Sequence, residues 1–307
     1  MVISQGEIWW AELPDAIGSG PGYRRPLPCL PIRTRLPFPA NNIDSSLVGN
    51  IRMPATIRFA LVLTILAAAT LSFAGEEQWR SLPLIENGDV APAWKHIGFG
   101  EFSVVDGTLR TDNDPRGLGL LYFSQKEFGD CQIRVVYRTQ DPASNSGVYV
   151  RIADGLPDAP KLDPVKRAAD GSLPPDQAEI MKNASEQEQG PWYAVHHGYE
   201  VQICDQADPA HRTGSIYSLT TAKEFPTSDD GWNRMVITLE GTRINVAING
   251  KTVSTFDSAS SKIPPREIWH EPKREPARPE SGYIGLQNHD PGDVVFFKEV
   301  SVRPLSK

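Results

Sequence analysis

The sequence predicts an all-β fold built as a sandwich or jelly roll of short antiparallel strands. Several segments between residues 131 and 302 alternate apolar and polar residues with a period of two, as half-buried strands do. Turn dipeptides of the Asp-Gly and Asn-Gly kinds separate such segments. The 307 residues include 27 prolines, a content that disfavours long helices.

Individual strands follow from this alternation and from the turns. Asp106-Gly107 and Asn249-Gly250 favour the type I′ turn, so each predicts a tight hairpin. In the segment 131–138, Cys131, Ile133 and every second residue after them fall on one face. Strands are predicted at 131–138, 147–152, 199–204, 233–239, 243–248, 252–256, 283–287 and 294–302.

One long polar segment, at about 154–198, interrupts the strands and is interpreted as an insertion. It contains six prolines, and a short helix is predicted from Asp176, as its cap, to Gln187. An insertion of this length is either a surface loop or a functional element. The functional interpretation is a lid beside a site, because the segment runs directly into residues 196–200.

Charge and cysteine content exclude some classes of protein. The net charge is −7, and residues 75–307 alone carry −9 because residues 1–74 carry +2. This balance argues against nucleic acid as a partner, since phosphate binding needs clustered Lys and Arg. Three cysteines are too few for a disulfide scaffold or a cysteine-rich zinc module.

Residues 53–74 have the pattern of a secretory signal peptide. Arg58 precedes the apolar run 59–71, and Ser72-Phe73-Ala74 matches a small-x-small cleavage site. The run is shorter than the ~20 residues of a comfortable membrane span. We expect export with cleavage after Ala74, a secreted or periplasmic protein and no lasting membrane anchor. The alternative is a buried helix or an uncleaved anchor.

Residues 1–26 contain Gly6-Glu7-Ile8-Trp9-Trp10, a Pro/Gly loop and Tyr23-Arg24-Arg25-Pro26. In these features the segment resembles the N-terminus of the MazF/PemK-type toxin endoribonucleases. Prolines then fall where that family continues with a strand, and proline cannot donate in a sheet ladder. The prediction is therefore a non-native or frameshifted extension over 1–52 without an independent fold, and a working domain over 75–307.

Period-two facing brings polar residues of three predicted strands onto one sheet face. In each strand these residues lie on the face opposite the apolar residues. They are Tyr149 and Arg151 in 147–152, Glu200 and Gln202 in 199–204, and Gln287 in 283–287. Asn145, Asp205 and His289 are then expected at the rim of this face. Amide, carboxylate, guanidinium and aromatic groups together suit a sugar, so carbohydrate is the expected partner. The alternative is an ordinary solvent-exposed face.

Other chemistry is less well supported by the residues. Glu200 and Asp205 are separated by an odd count, so a regular strand places them on opposite faces. A retaining glycosidase with two catalytic carboxylates needs them about 5–5.5 Å apart, which only a bulge in the strand would allow here. No cofactor is predicted and no standard metal-ligand spacing occurs. Two metal alternatives remain open, a divalent metal on His196, His197, His211 and Asp205, or Ca²⁺ on Asp205 and Asp208.

The sequence over about 85–305 resembles the 3-keto-disaccharide hydrolase family. The resemblance rests on the order and spacing of Asn145-Ser146-Gly147-Val148-Tyr149-Val150-Arg151, Gly198–Asp205, Thr213–Tyr217, Gly231-Trp232-Asn233, Leu239-Glu240-Gly241, Ile248-Asn249-Gly250 and Gly282–His289. It implies a concanavalin A-like jelly roll acting on glycosides oxidised at C3. A C3 ketone acidifies the C2 proton, so a base can remove that proton, the C1 substituent is eliminated, and water adds to the enone.

Roles for the site residues follow from this chemistry. Glu200 is predicted as the general base or a sugar-binding carboxylate, His289 as an acid/base partner, and Arg151 as the donor to the enolate or an anchor for the substrate. The predicted substrate-binding residues are Asn145, Tyr149, Gln202, Asp205, Tyr217 and Gln287. The predicted function is an exported hydrolase or lyase of 3-keto-glycosides. The alternative is a non-catalytic carbohydrate-binding jelly-roll module.

Overall fold

The computed structural model describes residues 78–157, 174–226, 228 and 231–305, together with two short N-terminal strands. Those strands, β1 (Trp9–Trp10) and β2 (Pro26–Leu27), pair antiparallel. The predicted signal peptide at 53–74 and residues 158–173 of the predicted insertion lie outside the described residues. The proposed boundaries at 52 and 74 therefore stay predictions.

The remaining described elements confirm the strands expected from alternation, each within two residues of its predicted bounds. In chain order they are β3 (Arg80–Ser81), β4 (Ile85–Glu86), β5 (Asp89–Val90), β6 (Trp94–Gly98), β7 (Glu101–Val105), β8 (Thr108–Asp112), β9 (Gly119–Phe123), β10 (Cys131–Thr139), β11 (Ser146–Ile152), α1 (Pro175–Glu186), α2 (Pro191–His197), β12 (Tyr199–Ile203), β13 (Asn233–Glu240), β14 (Arg243–Ile248), β15 (Lys251–Asp257), β16 (Tyr283–Asn288) and β17 (Val295–Pro304).

Two antiparallel sheets pack face to face and confirm the predicted all-β jelly-roll sandwich. One sheet has the order β15-β14-β13-β10-β17-β8-β7, with β3 also paired to β17, and the other has the order β12-β11-β16-β9-β6. The alternate residues Ile133 and Val135 of β10 join Val148 of β11 and Val201 of β12 in one apolar core between the sheets. All four are fully buried, which is the main stabilisation of this fold.

Both predicted tight hairpins are present. Asp106 and Gly107 have φ of 49° and 71°, and Asn249 and Gly250 have φ of 50° and 81°. Two consecutive residues with positive φ define the type I′ turn, whose twist matches that of the paired strands β7–β8 and β14–β15.

The described part of the insertion folds into α1 and α2, which cover the outer face of the five-stranded sheet. Ala184 of α1 and Trp192 of α2 pack on Leu120 and Tyr149 in a second apolar cluster. The helix prediction is confirmed, but Asp176 is not its cap. The helix begins at Pro175, and Asp176 lies in the first turn, where its charge suits the helix dipole.

Among the described residues, no helix combines the length and the apolarity that a membrane span requires.

Candidate functional site

The register of three neighbouring strands assembles the polar face predicted from the sequence. Tyr149 on β11 stands directly opposite Glu200 on β12 and opposite Gly285 on β16. Gln202 and Gln287 lie two residues further along their strands and therefore on the same face. This face points away from the inter-sheet core and toward α1 and α2.

Glu200 is a buried carboxylate held by Tyr149. The Tyr149 hydroxyl donates to Glu200 Oε2 at 2.9 Å, and Gln287 Nε2 donates to the same hydroxyl at 3.0 Å. Burial raises the pKa of Glu200 to about 7, although Tyr149, His289 and Gln287 favour the charged form. A carboxyl with this pKa is well suited to exchange a proton near neutral pH.

Gly147 leaves the space that the Glu200 carboxylate occupies. A Cβ added at Gly147 would overlap Glu200 Oε1 and lie 2.8 Å from Glu200 Cγ. The Asn-Ser-Gly motif therefore has a steric reason for its third residue. Any side chain at this position must displace the carboxylate.

His289 forms an ion pair at the end of β16. Its Nδ1 donates to Asp293 Oδ2 at 2.8 Å. Burial alone would lower the pKa of His289, but the hydrogen bond to Asp293 and the charges of Asp290 and Glu200 raise that pKa above its usual value. A charged His289 can therefore donate a proton or a hydrogen bond within the cavity that Glu200 also lines.

Two amides connect His289 to Glu200. The Asn145 amide lies 3.2 Å from His289 Nε2 and 3.1 Å from the Gln202 amide. With the Gln202 nitrogen turned toward the carboxylate, it donates to Ser146 O at 3.0 Å and to Glu200 Oε1 at 3.2 Å. With the Asn145 amide turned as well, its oxygen accepts from a charged His289 and its nitrogen donates to the Gln202 oxygen. The chain of hydrogen bonds is continuous from Asp293 to Glu200.

A cavity of about 320 Å³ opens between the sheet face and the helices. Its polar wall is lined by Asn145, Glu200, Gln202, Tyr217, His270, Gln287, His289 and Asp290. Its apolar wall is lined by Leu118, Ala178, Met181, Trp192, Val195 and Trp269. The volume is at the lower end of the range for small-molecule sites.

Several lining residues were not expected from the sequence. Trp269 and His270 come from the irregular segment between β15 and β16, and the Tyr217 hydroxyl lies 3.0 Å from His270 Nδ1. Trp192 packs against Trp269 with ring centroids 5.5 Å apart. Neither a strand nor a helix pattern marks this segment, so sequence periodicity gave no signal for it. The lid interpretation gains support, because α1 and α2 supply four of the apolar residues.

Arg151 does not lie on the polar face, contrary to the sequence prediction. The pairing of β11 with β16 shifts between Tyr149 and Ile152, and Arg151 has φ of 53° in this bulge. The extra residue moves Ile152 onto the face of Tyr149. The Arg151 side chain, only 2% exposed, instead pairs with Asp130 at 3.4 Å and does not line the cavity.

Asp205 is also placed elsewhere. Strand β12 ends at Ile203, and the Asp205 carboxylate accepts a hydrogen bond from Thr213 Oγ1 at 2.5 Å. It lines a separate surface depression with Arg212 and Glu224. The other predicted residues do line the cavity together with Glu200, namely Asn145, Gln202, Tyr217, Gln287 and His289. Tyr149 is not part of the lining and holds the Glu200 carboxylate from behind.

The proposed metal ligands are engaged in other contacts. His196 is buried against Ser185, His197 Nε2 lies 2.6 Å from Glu188, and His211 Nδ1 lies 2.8 Å from Asp208. Over residues 78–157, 174–226, 228 and 231–305, no three metal-ligating side chains are grouped so that they could hold an ion. Neither of the two metal alternatives has a ligand set in that part of the chain.

In solved structures, similarity is found to two candidate glycosyl hydrolases of Parabacteroides distasonis. The first is 22% identical with a TM-score of 0.48, and the match covers 74% of this chain and 100% of that chain. The second is 16% identical with a TM-score of 0.45, and the match covers 72% of this chain and 92% of that chain. The carbohydrate-binding module CBM66 of Bacillus subtilis is 12% identical, with a TM-score of 0.38, over 72% of this chain and 99% of its own.

A comparison with curated proteins finds no match. The sequence model of the "3-keto-alpha-glucoside-1,2-lyase-like domain" matches residues 78–303, about three quarters of the chain. This match confirms the resemblance to the 3-keto-disaccharide hydrolase family and leaves the toxin-like residues 1–26 outside it. The chain therefore belongs to the family of 3-keto-alpha-glucoside-1,2-lyase-like domains.

Proposed function

We propose that the cavity binds a 3-keto-glycoside and that Glu200 removes its C2 proton. The electron pair of the C2–H bond forms an enolate with the C3 ketone. Its collapse breaks the bond between C1 and the glycosidic oxygen, and the leaving group takes a proton. The products are an enone and an alcohol, and addition of water to the enone gives the hydrolysed sugar.

The observation that carries this proposal is the state of Glu200. A carboxylate with a pKa of about 7 is a stronger base than an ordinary glutamate and is still ionised in part at neutral pH. It opens into the cavity while Tyr149 and Gly147 fix its position from behind. One base of moderate strength is what removal of a proton beside a ketone requires.

The proton donors of the reaction are assigned to His289 and Tyr217. The hydrogen bond to Asp293 favours the charged form of His289, which can protonate the departing oxygen. Burial and the nearby Glu200 charge raise the pKa of Tyr217, so its hydroxyl stays a neutral donor for the enolate oxygen. Tyr217 takes the role predicted for Arg151, because Arg151 does not reach the cavity. Asn145, Gln202 and Gln287 remain the groups for the sugar hydroxyls.

The test uses the full chain and methyl 3-keto-α-glucoside in deuterated water. Exchange of the C2 proton and formation of the enone are followed separately, by NMR and by ultraviolet absorbance. Glu200→Gln should slow both by at least ~10²-fold while the melting temperature stays at or above that of the wild type. Unchanged C2 exchange in this variant would remove Glu200 from the role of base.

The same experiment separates the alternatives. A carbohydrate-binding module would bind the sugar without exchange or enone formation, and an ordinary glycosidase would cleave the unoxidised glycoside. The proposal also includes export directed by residues 53–74, for which mass spectrometry of the native N-terminus is the test. A mature chain that begins at residue 75 is the expected result, and a peptide containing Trp9 and Trp10 would contradict it.

A further inference from the structure

The apolar wall has no place in the chemistry proposed above. Its six side chains offer methyl, methylene, thioether and indole surface, from Leu118 at the start of β9 to Val195 in α2. Sugar hydroxyls need hydrogen-bond partners, and burying one without a partner is costly. The two indole rings can stack on a sugar ring as well, whereas the four aliphatic side chains suit a part of the substrate that carries few hydroxyls.

Polar side chains beside this wall are used within the protein. Gln177 of α1 is buried, and its Nε2 donates to the carbonyl oxygen of Arg116 at 3.2 Å. Ser185 is fully buried, and its hydroxyl donates to the carbonyl oxygen of Trp269 at 2.9 Å. These bonds fix α1 to the neighbouring segments and turn its apolar residues, Ala178 and Met181, to the cavity.

The position of the reacting atoms decides which part of the substrate meets the apolar wall. The C2 proton must reach Glu200, so the oxidised ring and its hydroxyls lie along the polar wall beside Gln202 and Gln287. The bond that breaks is at C1, next to C2, and its substituent must point out of this polar cluster. Met181 and Trp192, which line the cavity, come from the two helices that cover this sheet face, and Trp192 packs against Trp269.

We propose that the apolar wall is the subsite for the leaving group and that this group is an alkyl or aryl alcohol rather than a second sugar. The inference rests on the proposed function and names the substrate class for it. It narrows the 3-keto-glycosides that the family resemblance implied to those with such a leaving group. The small cavity agrees with one ring and a compact apolar substituent.

A series of alkyl glycosides tests this subsite without changing the leaving ability. Methyl, butyl and hexyl 3-keto-α-glucosides release alcohols of similar acidity, so differences among them report burial of the chain. The affinity of each for the full chain carrying Glu200→Gln is measured by calorimetry, together with a 3-keto-disaccharide. Affinity should rise at least ~10-fold from methyl to butyl, and the disaccharide should bind more weakly than the butyl compound.

Matched variants locate the effect. In the Glu200→Gln chain, Val195→Thr, which keeps the shape of the side chain, should reduce the butyl-to-methyl affinity ratio by ~3-fold or more. Val236→Thr, on the outer face of the other sheet, should leave the ratio unchanged. Equal affinities for the methyl, butyl and hexyl glycosides, or tighter binding of the disaccharide than of the butyl compound, would contradict the proposed subsite. Failure of the proposed function is a different result, since the wild-type chain would then turn over none of these compounds while chain-length-dependent binding persisted.

Discussion

The Tyr149 hydroxyl donates to Glu200 Oε2 at 2.9 Å across two paired strands on which the two residues stand directly opposite each other. Because this bond is made to the charged form of the carboxylate, it favours ionisation against the cost of burial. The sheet register thus sets both the position and the strength of the proposed base. Several consequences can be measured.

Tyr149→Phe should weaken the base at neutral pH. Loss of a hydrogen bond to a charged group costs ~1.5–3 kcal/mol, so the pKa of Glu200 should rise further. The acid limb of kcat/KM should move upward by about one pH unit, which lowers the ionised fraction of Glu200 and the rate at pH 7 by ~5-fold. Steady-state rates between pH 5 and 9 provide the measurement.

The matched control is Tyr137→Phe. Tyr137 is fully buried in β10, and its hydroxyl has no hydrogen-bond partner in the part of the chain that the structure describes. Removing that hydroxyl should leave the pH profile in place. If both variants shift the profile equally, the effect is not specific to the Tyr149–Glu200 contact.

Gly147→Ala should move the carboxylate without removing any polar group. The added Cβ overlaps Glu200 Oε1, so the carboxylate has to shift, and misplacement by about 1 Å can cost ~10²-fold in rate. Gly129→Ala is the control, because its added Cβ would have 3.9 Å to its nearest neighbour. A Gly147→Ala chain with wild-type kcat/KM would show that the position of Glu200 is not critical.

Glu200 should make the protein less stable as the pH rises. Its folded pKa of about 7 lies above the unfolded value of about 4.3, so the folded state holds the extra proton between these values. Stability is therefore lost as the pH rises through this window. Urea unfolding at pH 5 and pH 8 gives the free energy of unfolding of Glu200→Gln and of wild type. The variant's free energy of unfolding relative to wild type should be about 2 kcal/mol larger at pH 8 than at pH 5. An equal difference at both pH values would place Glu200 at an ordinary pKa.

Alternation predicted the site where the strands are regular. Tyr149, Glu200 and Gln202 reached one face because β12 and the first part of β11 keep a strict period of two. The prediction failed for Arg151 because a bulge inserts one residue, and no residue type in the segment 147–152 marks it. It failed for Asp205 because β12 ends two residues earlier.

Long-range partners were beyond the reach of the sequence. Trp269 and His270 occupy an irregular segment, and its place over the sheet depends on packing with α2. Asp293 follows His289 by four residues in a turn, so its pairing with His289 needed the loop geometry. Only the general expectation that the insertion adjoins the site anticipated the helical wall.

Arg151→Met distinguishes the bulged structure from a regular strand. Arg151 pairs with Asp130, which is half exposed, so its loss should reduce stability by ~1–3 kcal/mol while kcat/KM stays within ~3-fold of wild type. Urea unfolding and steady-state kinetics on the same preparation measure the two effects. An arginine that bound the enolate would instead lose ~10²-fold or more in rate with little change in stability.

The amide chain between His289 and Glu200 should keep the two groups in opposite states of protonation, so that only one of them carries its titratable proton at a time. When Glu200 is ionised, Gln202 donates to it, and the chain ends with the Asn145 oxygen accepting from a charged His289. When Glu200 is protonated, both amides turn, and the Asn145 nitrogen donates to a neutral His289. These two arrangements correspond to the site before and after the proposed elimination, in which Glu200 gains a proton and His289 gives one up.

Gln202→Met interrupts this chain while keeping the length of the side chain. Glu200 then loses a donor to its charged form, so its pKa rises, and charged His289 loses its ordered acceptor, so its pKa falls. Both limbs of the kcat/KM profile should move inward, each by ~0.5–1 pH unit. Gln132→Met is the control, since Gln132 bonds to Thr238 and Arg303 on the other sheet. A uniform loss of rate with both limbs in place would mean that Gln202 binds the sugar but does not couple the acid to the base.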